Sequence, residues 1–231
     1  LSRHPSPYEL EVPVKVKICG VRTPVIIEEA GKAGADFIGL VLFPKSPRHL
    51  ELEEARVLAA IARGKIGAVA VLVDPDDELI RGVAERVRPD LIQLHGNETP
   101  ARVTAIKAMT GLPVMKAIPV AEAADVRRAG DYAGSADYIL FDSKSSPDAS
   151  LAGGNGVPFD WQALAGVKPP FALSGGLTAE TVGEAIRVTG ATLVDVSSGV
   201  ERARGEKDAK LVASFIRAAK QASEQPRAKA S

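Results

Sequence analysis

The sequence has 231 residues, and 29 Lys plus Arg balance 29 Asp plus Glu, leaving no net field to attract nucleic acid or an anionic membrane. At 45% hydrophobic and 25% charged residues it has the make-up of a soluble globular chain with a real core, and no apolar run reaches bilayer-spanning length or forms a signal-peptide core. Its single cysteine, Cys19, excludes an intrachain disulfide and suits a reducing cytoplasm, while one cysteine with three histidines (His4, His49, His95) leaves little material for a zinc site.

Residues 1–13, with Pro5 and Pro7, read as a loose arm. A first strand is predicted at Val14–Cys19 and a helix at 24–34, then a strand at Phe37–Phe43 and a helix at 51–63. Strands at Ile66–Val73 and Leu91–Leu94 precede helices at 76–88 and 98–110. Strands at Val114–Ile118 and Tyr138–Asp142 precede helices at 121–132 and 159–166. The last two units pair Phe171–Leu173 with 178–189 and Thr192–Val196 with 207–221, and residues 223–231 form a polar tail that frays. β-branched runs thus alternate with alanine-rich amphipathic ones, the pattern of a parallel sheet covered by helices.

Short junctions echo along the chain: Gly34-Ala35-Asp36, Pro89-Asp90, Ser135-Ala136-Asp137 and Gly190-Ala191 each lead directly into a strand. These are tight αβ turns. An open doubly wound sheet is the rival architecture. Eight units with no obvious extra domain favour closure, so the fold is read as a single-domain (β/α)8 barrel spanning 14–222.

Functional groups of such a barrel lie at the C-terminal ends of strands. Polar residues and glycines gather there, whereas the strand bodies are almost entirely apolar. Strand seven ends in Ser174-Gly175-Gly176 and strand eight runs into Ser197-Ser198-Gly199. Glycines allow backbone N–H groups to approach an anion, and a short helix starting near Ser198 adds unpaired N–H groups. Gly175, Gly176, Ser197, Ser198 and Gly199 are therefore candidate phosphate ligands, and the substrate a small phosphorylated molecule.

Cys19 closes strand one. Period-two alternation puts Cys19, Lys17 and Lys15 on the barrel side and Ile18, Val16 and Val14 toward the helices. A filler cysteine would share the apolar side. This one sits at the mouth above Lys17, which can favour a thiolate. Lys17 itself needs a buried carboxylate, and Asp195 is the candidate. Asp142 follows four large residues, Tyr138-Ile139-Leu140-Phe141, and the segment after it is too long and glycine-rich for a simple helix start. It is read as an active-site carboxyl across the mouth from Cys19, the two making a base/acid pair for an isomerisation.

Several segments carry a family resemblance: Val16-Lys17-Ile18-Cys19-Gly20, Phe43-Pro44-Lys45-Ser46-Pro47-Arg48, Gln93-Leu94-His95-Gly96, Gly153-Gly154-Asn155-Gly156 with Phe159-Asp160-Trp161, Leu173-Ser174-Gly175-Gly176-Leu177, and Asp195-Val196-Ser197-Ser198-Gly199-Val200-Glu201. In this order, from about Val14 to Phe215, the chain resembles the phosphoribosylanthranilate isomerases. The resemblance implies an Amadori rearrangement in tryptophan biosynthesis, with Cys19 as general base, Asp142 as general acid and no cofactor. It also implies that Arg48 contacts the anthranilate carboxylate and that the last two loops hold phosphate. Gln93, His95 and Asp195 are further candidate substrate contacts, with loop capping as the alternative for His95. Trp161 is read as packing.

The pattern departs from the family at Val157-Pro158, where many relatives carry a lysine, and in the leading arm. The rivals are another phosphate-binding barrel isomerase, including the histidine-pathway enzyme that uses an aspartate where Cys19 stands, and a sugar-phosphate sensor without activity. The expected assembly is a monomer or homodimer.

Overall fold

Eight parallel strands hydrogen-bond in sequence order and close on themselves, β8 pairing with β1, in a computed structural model of the chain. The structure describes residues 13–143, 160–164, 166–168 and 170–223. The strands are β1 (Lys15–Cys19), β2 (Phe37–Val41), β3 (Gly67–Leu72), β4 (Leu91–Leu94), β5 (Val114–Val120), β6 (Tyr138–Ser143), β7 (Ala172–Leu173) and β8 (Leu193–Val196). The outer helices are α1 (Pro24–Ala33), α2 (Leu52–Ala62), α3 (Asp77–Gly82), α4 (Pro100–Thr110), α5 (Ala123–Val126), α6 (Val182–Thr189) and α7 (Ala209–Ser223). A small hairpin, β9 (Glu201–Ala203) with β10 (Glu206–Lys207), follows β8.

The period of two sorts each strand between two cores. Val16, Ile18, Ile38, Leu40, Leu72 and Ile92 pack outward against the helices, in one layer with Ile27, Leu58, Val103 and Phe215. The alternate residues Cys19, Val41, Val69, Val71, Met115, Ala117, Leu140 and Ala172 fill the barrel interior. Lys17 is inside and fully buried, as the alternation requires. Lys15 emerges at the opposite, N-terminal opening, where its Nζ lies 5.9 Å from the Phe37 ring centroid.

The junction echo has a physical reason. Asp36, Asp90 and Asp137 each stand just before an even-numbered strand. Their carboxylates accept the N–H groups of Val16, Ala68 and Val114 at 2.8, 2.7 and 2.7 Å. Each aspartate thereby satisfies a donor at the start of the preceding strand. Before β8 the device changes: Thr192 donates from N and Oγ1 to the Phe171 carbonyl at 3.1 and 3.2 Å. Gly34, at φ 92°, makes the left-handed turn that lets α1 end directly against β2.

Some helices are shorter than the sequence pattern predicts. The expected helix at 76–88 changes from α3 to a π-turn over Val83–Val87 immediately after Gly82, and Arg88 leaves it at φ 54°. The one at 121–132 is a single α-turn followed by a 3₁₀ segment, Arg127–Tyr132, whose Gly130 weakens a helix interior. The one at 178–189 starts only at Val182, because the Thr181 hydroxyl accepts the Thr178 N–H and holds a turn there. Of the expected helix at 159–166, a 3₁₀ turn over Trp161–Leu164 is described. Trp161 packs against the core there, as expected. The final helix runs from Ala209 to Ser223, started by Asp208 accepting from Lys210 N and Leu211 N, so Ser223 belongs to the helix and Lys207 to the hairpin. Most of the arm, the tail after Ser223, and the segment 144–159 with its Gly153–Gly156 run and Val157-Pro158 lie outside the described residues.

Candidate active site at the C-terminal mouth

One cavity at the C-terminal ends of the strands is lined by Cys19, Arg48, His95, Asp142, Asp195, Ser174, Gly175, Gly176, Ser197, Ser198 and Gly199, with Val41, Phe43 and Val71 as apolar wall. The strand-end and loop residues picked from the sequence therefore face common space, with one exception. Gln93 is fully buried one layer below and holds His95, its Nε2 lying 3.0 Å from the ring Nδ1.

Cys19 caps the interior column of β1. Opposite it in register stands Gly39 of β2, where a Cβ would come 2.9 Å from the Cys19 sulfur and 3.1 Å from the Lys17 amine. A glycine there makes room for both groups. Below the thiol, Lys17 donates to Asp195 Oδ1 at 2.9 Å, and the two residues are direct register partners across the β1–β8 seam. Burial works against the ammonium, but Asp195 and the neighbouring sulfur outweigh it and raise the Lys17 pKa.

Lys17 favours the thiolate, as expected, but does not set the Cys19 pKa alone. Burial pushes the Cys19 thiol up, Lys17 and Lys207 pull it down, and Asp195 pushes it up again, leaving it above its ordinary value. Asp195 opposes the pull of Lys17 on the sulfur.

Across the mouth Asp142 stands one residue before the end of β6, buried, with Oδ2 3.0 Å from His95 Nε2. The loop carrying His95 is set by a second buried ion pair, Lys116 of β5 with Glu98 at 2.9 Å. Lys116 also donates to the Gly96 carbonyl at 2.7 Å, and Glu98 accepts from Gly96 N and Asp74 N. Neither residue drew attention in the sequence. The signal was present, since a lysine inside the apolar run Val114-Met115-Lys116-Ala117-Ile118 demands a carboxylate partner.

The third group surrounds Arg48. Its Nε and Nη2 grip both oxygens of Glu201 at 2.7 and 2.9 Å, and Lys207 holds the same carboxylate at 2.6 Å. Despite burial, Arg48, Lys207 and the Gly205 N–H pull the Glu201 pKa down to about 2. Burial lowers the Lys207 pKa against the opposing pull of Glu201. Lys207 also donates to the Ser197 carbonyl at 3.0 Å, and the Ser197 hydroxyl donates to the Cys19 carbonyl at 3.1 Å. Two cations and one anion leave this cluster one positive charge beside the glycine turns. Glu201 was read only as part of a motif, and Lys207 was assigned to a helix; no spacing rule ties either to Arg48, 153 residues away for Glu201.

The glycine turns are sterically required. Gly175 and Gly176 have φ of 96° and 65°, and a Cβ on Gly175 would press into Ser143. Gly199 is the middle residue of a 3₁₀ turn, Ser198–Val200, where a Cβ would overlap the Leu177 carbonyl. Among the described residues no group of three His, Cys, Asp or Glu side chains is placed to hold a metal ion, and no helix is long and apolar enough to cross a membrane.

A closed parallel barrel with a thiol, a carboxyl and two glycine turns on one cavity defines a (β/α)8-barrel enzyme. Residues 16–218 match the family model described as N-(5'phosphoribosyl)anthranilate (PRA) isomerase. The chain is 51% identical over 209 residues to N-(5'-phosphoribosyl)anthranilate isomerase of Nitrobacter hamburgensis, covering 90% of this chain and 93% of that one. It superposes on the crystal structure of phosphoribosyl anthranilate isomerase from Thermotoga maritima with a TM-score of 0.82 at 34% identity, covering 90% and 99% of the two chains. A phosphoribosyl anthranilate isomerase crystallised with reduced 1-(o-carboxyphenylamino)-1-deoxyribulose 5-phosphate gives 0.79 at 34% identity and the same coverage. The chain belongs to the N-(5'-phosphoribosyl)anthranilate isomerase family and is an isomerase of tryptophan biosynthesis.

Proposed function

We propose that Cys19 and Asp142 divide the chemistry of the Amadori rearrangement that turns N-(5'-phosphoribosyl)anthranilate into 1-(2-carboxyphenylamino)-1-deoxyribulose 5-phosphate. The observation that carries the assignment is the single cavity onto which thiol, carboxyl and glycine turns all open. Asp142 gives its proton to the ribose ring oxygen as the C1–O bond breaks. The nitrogen lone pair moves into a C=N bond, leaving an open-chain iminium. The Cys19 thiolate then takes the proton from C2, and that electron pair forms the C1=C2 bond of an enolamine while the iminium nitrogen regains its lone pair. Ketonisation adds a proton at C1 and loses one from the C2 hydroxyl. The substrate nitrogen is the electron sink, so every step needs only protons.

This order also answers the raised Cys19 pKa. The iminium is a cation beside the sulfur, present only after ring opening, and it favours loss of the thiol proton to solvent at the moment the base is needed. The phosphate is assigned to the backbone N–H groups at Gly175, Gly176 and Ser197–Gly199, beside the net positive Arg48–Glu201–Lys207 cluster. Arg48 has spent two of its five N–H donors on Glu201, and the others, which have no partner among the described residues, can meet the anthranilate carboxylate. Asp195 is assigned to Lys17 rather than to substrate. The working form is a monomer or homodimer in the cytoplasm with a small phosphorylated substrate as partner. Turnover of purified Cys19→Ser and Asp142→Asn tests the assignment. Near-native rates in either variant would remove that residue from the chemistry.

A further inference from the structure

His95 lines the mouth, yet both of its ring nitrogens are already engaged. Nδ1 faces the Gln93 amide at 3.0 Å and Nε2 faces Asp142 Oδ2 at 3.0 Å. A substrate in the cavity meets only the ring edge or face. Gln93 lies on β4 and His95 directly follows that strand, two residues on, so both point to the barrel side. Asp142 reaches them from β6, two strands away. Gln93 is wholly buried, and its Oε1 has no hydrogen-bond partner among the described residues. A side chain that buries an amide to hold one imidazole nitrogen, leaving its oxygen unpaired, is costly unless the contact matters.

We propose that His95 is a positioning residue for the Asp142 carboxyl, with Gln93 fixing the tautomer of the ring. The inference rests on Asp142 being the general acid. The Gln93 contact is made through its amide nitrogen, which can only donate, so Nδ1 is the acceptor. With the Gln93 amide donating to Nδ1, His95 carries its proton on Nε2 and donates to the Asp142 carboxylate left after proton transfer. The protonated acid keeps that bond, its own proton lying on Oδ1, where the ring oxygen of the substrate can take it. In either state one carboxyl oxygen is held by the ring and the other is directed to the cavity.

A double-mutant cycle tests this, using purified His95→Ala, His95→Gln, Gln93→Leu, Asp142→Asn and the His95→Ala/Asp142→Asn pair. A misaimed acid lowers kcat by up to about 10²-fold. His95→Ala is expected to show such a loss with KM little changed, and Gln93→Leu a smaller one. His95→Gln, whose amide can reach Asp142, is expected to recover part of it. In the Asp142→Asn background His95→Ala should cost nothing further, because the group it aims is gone. Losses that add in the double variant, with Asp142→Asn itself strongly impaired, overturn the inference and leave the acid assignment standing. A large rise in KM for His95→Ala, with kcat preserved, also overturns it and makes His95 a substrate contact. Near-native turnover of Asp142→Asn overturns the acid assignment and this inference with it.

Discussion

Lys17 and Asp195 face each other across the seam where the barrel closes, register partners on β1 and β8 with amine and carboxylate 2.9 Å apart and no solvent reaching the lysine. The pair sits beneath Cys19, so one contact joins the first strand to the last and sets the field under the thiol. Removing one partner strands the other. Lys17→Met is expected to lower folding stability by about 3–5 kcal/mol, the usual cost of an uncompensated buried charge. Chemical denaturation of the two proteins measures this. A loss within a few tenths of a kcal/mol would mean that Asp195 is solvated or protonated in the variant.

Cys19 is the next test. Its raised pKa means that alkylation, which needs the thiolate, is slower at neutral pH than for a free thiol and keeps accelerating as pH passes the ordinary thiol range. Iodoacetamide rates from pH 6 to 10 give the curve directly, for which a plateau below pH 8 is the contrary result. Cys19→Ser is expected to fold and to lose on the order of 10²–10⁴ in turnover, the typical worth of a general base.

Much of this was legible in the sequence because the barrel repeats one rule eight times. Alternation along β1 placed Lys17 and Cys19 inside, and Asp195 followed from the need to pair a buried ammonium. The junction aspartates were visible as an echo, though their carboxylates' grip on the preceding strand was not. What escaped are side-chain partners that no spacing rule joins. Glu98 with Lys116, Glu201 with Arg48 and Lys207, and His95 with Asp142 each join different strands or loops. Helix lengths failed for a local reason, since side-chain hydrogen bonds such as Thr181 with Thr178 compete with the helix at its start.

Glu201 makes the acid limb of stability informative. Its pKa is about 2 in the fold against an ordinary 4.5, so the unfolded chain takes up this proton first as pH falls. The stabilisation is therefore complete above about pH 4.5 and lost between there and pH 2, at most on the order of 3 kcal/mol. Glu201→Gln should be less stable at neutral pH and show a flatter stability profile through that window. Parallel profiles for the two proteins would show that Glu201 is not held in this way.

The two ends of the substrate can be separated by variants at Arg48 and Gly176. Arg48 is fixed by Glu201, and Gly20 gives it room, since a Cβ at Gly20 would collide with the arginine side chain. A guanidinium held this rigidly meets a carboxylate at little entropic cost. In Arg48→Ala the Glu201 carboxylate keeps Lys207, so no buried anion is stranded and the fold should survive. This variant is expected to weaken ligands bearing the anthranilate carboxylate by roughly tenfold or more, a charged hydrogen bond being worth about 1.5–3 kcal/mol. Inhibition by inorganic phosphate or a simple sugar phosphate should change far less. Gly176→Val acts at the other end. Its φ of 65° is strained for a β-branched residue, and the displaced backbone N–H groups should weaken every phosphorylated ligand alike. Competition assays with inorganic phosphate, ribose 5-phosphate and the reduced product analogue distinguish the patterns. Equal losses for phosphate and for the anthranilate-bearing analogue in Arg48→Ala would place Arg48, with its net positive cluster, at the phosphate end instead.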